Sequence, residues 1–222
     1  MNTKSAHYEQ PGITVDLVIF TVNDDQLKVL LLKRAEAPFS GQWSLPGGFL
    51  FVGESLEAAA RRVLKEKTGV EDVYLEQLYT FGKPDRDPRT RVITVGYFAL
   101  IPWANLDQPA STKVADLKWS AVDEIPRLAF DHKEILQTAV QRLRAKVSYS
   151  NIVYGLLPEH FRLSELQRIY ETILNEKLDK RNFRKRMLAS GLLHETGKKH
   201  LQGAHRPAML YQFKKMEITF LN

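Results

Sequence analysis

The sequence of 222 residues contains no cysteine. Disulfides and thiolate metal sites are therefore excluded. It has no run of apolar residues long enough for a membrane-spanning helix. The opening stretch, MNTKSAHYEQPG, lacks the apolar region of a secretory signal. These absences lead us to expect a cytoplasmic protein with no membrane partner. Internal repeats and low-complexity tracts are also missing. So is any charge imbalance in the first 150 residues, which hold 19 Lys/Arg and 19 Asp/Glu. Residues 151–222 hold 13 Lys/Arg against 7 Asp/Glu, so the net charge of +6 lies wholly in the last third. An anionic partner for that part is one reading, and the spare lysines of a small domain are the other.

What is present is a hydrophobic share of 44%, ordinary for a chain that builds a sizeable core. Ile13–Val22 is rich in β-branched residues, ends at Asn23-Asp24-Asp25 and is followed at once by Leu27–Leu32, the pattern of a hairpin. Ser55–Thr68 reads as a helix with Ser55 as N-cap and Gly69 as its stop. Strands are expected over Val73–Phe81, Arg91–Ile101 and Leu117–Trp119, and an amphipathic helix over Lys133–Lys146. Near Ser148–Leu157 the pattern changes. Ser164–Asn175 and Asp179–Ser190 then read as helices, with Ser164 a candidate cap and Phe183, Met187 and Leu188 an apolar face. Two apolar runs, Leu192-Leu193 and Met209–Phe213, flank a basic loop. The expected domains are residues 1–147 and 148–222.

Gly48–Val70 reads GFLFVGESLEAAARRVLKEKTGV. Gly48, Glu54, Arg62, Leu64, Glu66, Gly69 and Val70 fall at the spacing of the Nudix signature, which this segment resembles. Family members use Mg²⁺ to cut a nucleoside diphosphate linked to another group. The cation needs hard oxygen ligands, which three glutamates on one helical face supply. Here the three positions are Val63, Glu66 and Lys67. Val63 cannot ligate a metal. Lys67 places a cation near where the metal would sit, a repulsion of up to roughly 4 kcal/mol per unit charge product at 4 Å. Glu54 and Glu66 are the residual carboxylates. No catalytic residue, metal site or cofactor is expected, with Mg²⁺ entering only if some hydrolysis survives. Alternatively, Glu66 simply pairs with Arg62 across one helical turn.

A pocket can outlast its catalyst. Asp85, Arg86, Asp87 and Arg89 lie in a charged loop between two strands. Arginine suits phosphate and aspartate suits ribose hydroxyls, while the plainer reading is a solvated loop. Arg34 ends a strand, with Phe39 and Trp43 close behind; either ring suits a base or the core. His132 follows Asp131, for which helix capping is the favoured role. The candidate ligand residues are therefore Arg34, Phe39, Trp43, Arg62, Asp85, Arg86, Asp87 and His132.

In the C-terminal part, a basic helix follows an amphipathic helix and a short turn, as a recognition helix does. Lys180, Arg181, Asn182, Arg184 and Lys185 on that helix, with Lys198, Lys199 and Arg206 in the basic loop behind it, are the candidate DNA contacts. A solvated basic face, or a module for dimerisation, is the alternative. Through PFSGQWSLPGGF, FGKPDRDPR, AFDH and DKRNFRKR, nearly the whole chain resembles the Nudix-related transcriptional regulators of bacteria. The resemblance implies an α+β protein, a Nudix α/β/α sandwich with a mixed sheet followed by a small winged helix-turn-helix. It also implies a homodimer on a palindromic double-stranded operator, gated by ADP-ribose, another nucleotide sugar or a pentose. The rival reading is a Mg²⁺-dependent hydrolase of ADP-ribose or a related nucleoside diphosphate.

Overall fold

In the computed structural model, which describes residues 10–106, 117–200 and 208–220, β1 (Gly12–Asn23) is the spine of a mixed sheet. β-branched and aromatic residues dominate it, and both its faces are covered. β2 (Gln26–Lys33) turns back antiparallel through Asp24 and Asp25, both at positive φ. The short strands β3 (Trp43–Ser44) and β4 (Gly47–Phe49) pair with β2 and β1 respectively. After helix α1 (Leu56–Thr68) come β5 (Tyr74–Phe81) and β6 (Val92–Leu100), the latter parallel to β1. β7 (Leu117–Ala121) joins β2, so the seven strands run β3-β2-β1-β6-β5 with β4 and β7 attached at β1 and β2.

Alternation along β1 builds two cores. Val15, Leu17 and Ile19 face α1, which contributes Ala59, Ala60, Val63 and Leu64. Val18 and Phe20 face α2 (His132–Tyr149), which contributes Ile135, Leu136, Ala139 and Leu143. α1 begins and ends where the sequence indicates. Ser55 Oγ accepts from the Ala58 N–H at 3.2 Å, and Gly69 takes φ 71° at the C-terminal cap.

Beyond α2, a short 3-10 turn (Ile152–Leu156) leads to α3 (Leu163–Leu174), α4 (Lys180–Ala189) and the hairpin β8 (Leu193–His200) with β9 (Ala208–Phe213). Ser164 does not cap α3. The helix starts one residue earlier, at Leu163, because the Glu165 carboxylate accepts the Arg162 backbone N–H at 2.7 Å. Glu171 fixes the turn into α4 by accepting from Leu178 N–H at 3.0 Å and Gln167 at 2.8 Å. Asp179 Oδ1 then caps α4, accepting from Asn182 N–H at 2.8 Å. Phe183 and Met187 are buried under α4, whereas Leu188 is 42% exposed and lies off the apolar face the sequence suggested.

Among the described residues, no seam separates the two parts. The core on the α2 side continues without a break through Leu156, Leu157, Phe161, Leu166, Ile169, Tyr170 and Ile173 to Phe183 and Tyr211. Polar contacts stitch the same boundary. Arg144 on α2 donates to the Ile173 carbonyl near the C-terminus of α3 at 3.0 Å, and Arg168 on α3 pairs with Asp25. Asn151 holds the chain's last described stretch by donating to Glu217 O at 3.0 Å and accepting from Thr219 N–H at 2.7 Å.

Candidate ligand-binding cleft and nucleic-acid interface

A cleft of about 300 Å³ opens at the end of the sheet where β1, β2 and β4 meet the loop after β5 and the start of α2. Thr14 and Asp16 reach it from β1, Arg34 from the end of β2, and Gly47, Gly48 and Phe49 from β4. Arg86, Asp87 and Arg89 form one wall and Phe130 and His132 another. Gly47 is required here, because a Cβ at that position would lie 2.1 Å from Asp16 Oδ1.

Arg86 is a strut within the wall. Its side chain is 4% exposed, and it donates to Asp131 at 2.8 and 2.7 Å and to Asp16 at 3.2 Å. Burial opposes its charge, but the Asp131 hydrogen bonds and the nearby Asp16 carboxylate outweigh it and raise the guanidinium pKa. The loop 85–89 is thus not simply solvated, since Arg86 and Asp87 are both buried. Asp131 occupies the cap position of α2 but makes no capping hydrogen bond, because its carboxylate is committed to Arg86. His132 Nδ1 accepts the Leu45 N–H at 2.8 Å, which leaves its proton on Nε2, 3.6 Å from Asp16. Burial pushes its pKa down, so the ring is neutral at pH 7.

Arg34 differs from Arg86. Its donors go to backbone carbonyls, Pro38 O at 2.8 Å and Glu36 O at 3.5 Å. Its guanidinium lies 4.8 Å from the Phe130 ring, and Arg89 lies 5.9 Å from the same ring. Burial, and then the neighbouring charge of Arg89, lower the Arg34 pKa. Arg89 is neutralised by Asp87, at 3.0 and 2.7 Å, and their hydrogen bonds hold the Asp87 carboxyl below its usual range. Among the described residues no side-chain carboxylate hydrogen-bonds Arg34, so the cleft offers a half-buried cation beside an aromatic ring. That pair suits an anionic group joined to a planar or sugar moiety.

Of the eight ligand candidates, Arg34, Arg86, Asp87 and His132 line the cleft. Phe39 stands behind it, edge-on to Phe130 at 4.9 Å. Trp43 packs against the core beneath. Asp85 is exposed outside the cleft, and Arg62 lies on α1, turned towards Glu54. Sequence reasoning missed Thr14 and Asp16. The available signal was a carboxylate in the middle of a β-branched strand, which burial would force to find a partner.

The residues at the Nudix metal positions do not fit Mg²⁺. Val63 is 1% exposed and belongs to the core on the α1 side. Both Glu54 oxygens accept from Arg62, at 2.7 and 2.9 Å, and Phe51 N–H adds a third bond at 3.0 Å. These bonds, the Arg62 ones foremost, hold the Glu54 pKa down at about 2. Glu66 sits 3.5 Å from the same guanidinium. Among the described residues, no group of three or more His, Asp or Glu is placed to hold a metal.

The second surface is α4. Lys180, Arg181, Asn182, Arg184 and Lys185 are all exposed on it, as is Lys198 on β8. Residues 180–189 carry five Lys/Arg and no acid. With Phe183 and Met187 pointing inwards, helical geometry turns Arg181, Asn182 and Lys185 most directly outwards and leaves Arg184 and Arg186 on the flanks. Arg184 sits close enough to Tyr211 to lower that phenol's pKa against the larger upward push of burial. For Lys199 only the strand backbone is described, and Arg206 lies outside the described residues.

Comparisons with known proteins match both parts. Residues 12–139 match the NUDIX domain family and residues 153–213 the NrtR DNA-binding winged helix domain family. The chain is 40% identical over 221 residues to the ADPR responsive transcriptional repressor NtrR of Acinetobacter baylyi, covering 98% of this chain and 88% of that one. Shewanella oneidensis NrtR, solved in complex with a 27mer DNA, superposes with a TM-score of 0.83 at 42% identity, covering 91% of this chain and 93% of the other. The NUDIX domain of the same NrtR, solved with ADP ribose, matches at 43% identity with a TM-score of 0.55, covering 61% of this chain and 90% of the other.

Proposed function

Because this chain belongs to the Nudix-related transcriptional regulators, the family of NrtR, we propose that it is a cytoplasmic DNA-binding repressor whose operator affinity is set by ADP-ribose. The match to an ADPR responsive repressor over 98% of this chain carries this reading. The cleft supports the effector. Arg34 would take the diphosphate and Phe130 would stack on a ring of the ligand. Nothing in this scheme requires a metal, in keeping with carboxylates that are committed to Arg62 or replaced by Val63 and Lys67.

On the DNA side, α4 would enter the major groove with Arg181, Asn182 and Lys185 towards the bases. Arg184 and Lys198 would face phosphates. The proposed reading includes a homodimer on a palindromic operator, with the two α4 helices one helical turn of DNA apart, about 34–36 Å. The ligand can act only through unequal affinity for the DNA-competent and DNA-incompetent arrangements.

Fluorescence anisotropy on the protein's own upstream region, at several salt concentrations and with ADP-ribose or arabinose added, tests the proposal. Binding that weakens steeply with salt and that ADP-ribose alone alters is the expected result. Binding that no salt concentration supports would refute the regulator. Binding that arabinose alters and ADP-ribose does not would replace the effector.

A further inference from the structure

Leu188 is the one large apolar side chain exposed on α4, the helix whose residues 180–189 hold five cations and no acid. It lies seven residues after Arg181 and three after Lys185. On a helix of 3.6 residues per turn, positions seven apart are offset by only about 20°. Leu188 therefore continues the outward row that Arg181 and Lys185 begin. The two inward residues, Phe183 and Met187, already fill the space beneath α4. Leu188 is thus an apolar group set among hydrogen-bond donors on the face turned away from the core.

The partner of that face must be anionic and must also offer an apolar spot. A second copy of the same face would bring ten like-signed side chains together, which repulsion disfavours. Duplex DNA meets both conditions. Its phosphates match the cations, and its major groove has one exposed apolar group, the C5-methyl of thymine.

We propose that Leu188 is a specificity-determining residue that reads a thymine methyl in the operator. The proposal rests on the DNA-binding reading above. It predicts that the preferred half-site carries a thymine beside the bases contacted by Lys185, at a position where hydrogen bonding alone would not distinguish it from uracil.

The test replaces thymine by deoxyuridine one position at a time across the footprint in the protein's own upstream region. That exchange removes the methyl and keeps every Watson–Crick bond. The wild-type protein should lose about fourfold in affinity at the critical position, the factor expected for one methyl group returned to water. Leu188→Ala keeps helix propensity, so α4 should persist. The variant should bind the thymine operator about as weakly as the wild type binds the deoxyuridine one, and should be indifferent to the exchange. A wild-type protein insensitive to deoxyuridine everywhere would overturn the proposal while leaving DNA binding intact. A penalty that persists unchanged in Leu188→Ala would overturn it too. Wild-type protein that binds no upstream DNA at low salt would overturn both readings together.

Discussion

Replacing Arg86 by methionine separates the cleft's scaffold from its ligand contacts. Arg86 is 4% exposed and stands between Asp16 and Asp131, whose side chains are themselves about a tenth exposed. Methionine fills much of the volume but leaves two buried carboxylates without their cation. Removing one partner of a buried ion pair costs about 3–5 kcal/mol. For a chain of this size each kcal/mol moves the melting temperature by about 2–4 °C, so Tm should fall by about 6–20 °C. Adding Asp16→Asn and Asp131→Asn to the same chain should recover much of that loss, because neutral amides no longer need the charge. Arg34→Met should behave oppositely. Arg34 hydrogen-bonds to backbone carbonyls at the rim, so Tm should move by no more than about 3 °C. ADP-ribose affinity should nonetheless fall about 10- to 100-fold, the worth of a charge-assisted hydrogen bond. Differential scanning fluorimetry and isothermal titration calorimetry on both variants read these outcomes. An Arg86→Met protein that melts within 2 °C of wild type, or an Arg34→Met protein with unchanged ADP-ribose affinity, would refute the division of roles.

Three further outcomes are expected. His132 is buried and neutral with a depressed pKa, so below its unfolded value of about 6.5 the unfolded chain binds a proton that the folded chain refuses. Stability should therefore drop as pH falls through that value, and His132→Asn, whose amide oxygen can replace Nδ1, should flatten the drop in urea midpoints between pH 7.5 and 5. Asp179→Ala removes the cap of α4 and should cost about 1 kcal/mol; circular dichroism melts and operator anisotropy should both register it, with ADP-ribose affinity unchanged. Lys67→Glu should produce no Mg²⁺-dependent release of AMP from ADP-ribose, because Glu54 stays on Arg62 and Val63 stays in the core. Appearance of that product would revive the hydrolase reading.

Much of this protein is legible in its sequence, for reasons that differ from element to element. β1 and β2 announce themselves through dense β-branched residues and an Asn-Asp-Asp turn, and α1 through a Ser cap, an alanine-rich body and a terminal glycine. All of these are local signals. The cleft is assembled from residues far apart in the chain, and there local signals fail. Asp16 and Asp131 meet across Arg86 only after folding, so Asp131 looks like a helix cap until its carboxylate is seen elsewhere. Ser164 looks like a cap because serine usually is one; the cap position is instead Arg162, two residues earlier, whose backbone N–H Glu165 reaches back to bind. Leu188 fits a helical apolar stripe by spacing, but Phe183 and Met187 suffice to close the space it would enter.

The unbroken core from Val18 to Tyr211 bears on the lifetime of the molecule as well as its shape. A chain whose sensor and reader share one interior should melt in a single calorimetric transition and present few sites for a protease between them. Any molecule that binds the native cleft then protects the recognition helix from degradation as well. At one hundred times its dissociation constant a ligand adds about 2.7 kcal/mol to the whole unit, which lowers the unfolded fraction about a hundredfold. On the proposed function, the metabolite that sets occupancy of the operator would in that case also set how long each molecule survives. Pulse-chase turnover in cells with raised and lowered ADP-ribose would show it, and two separate melting transitions would deny it.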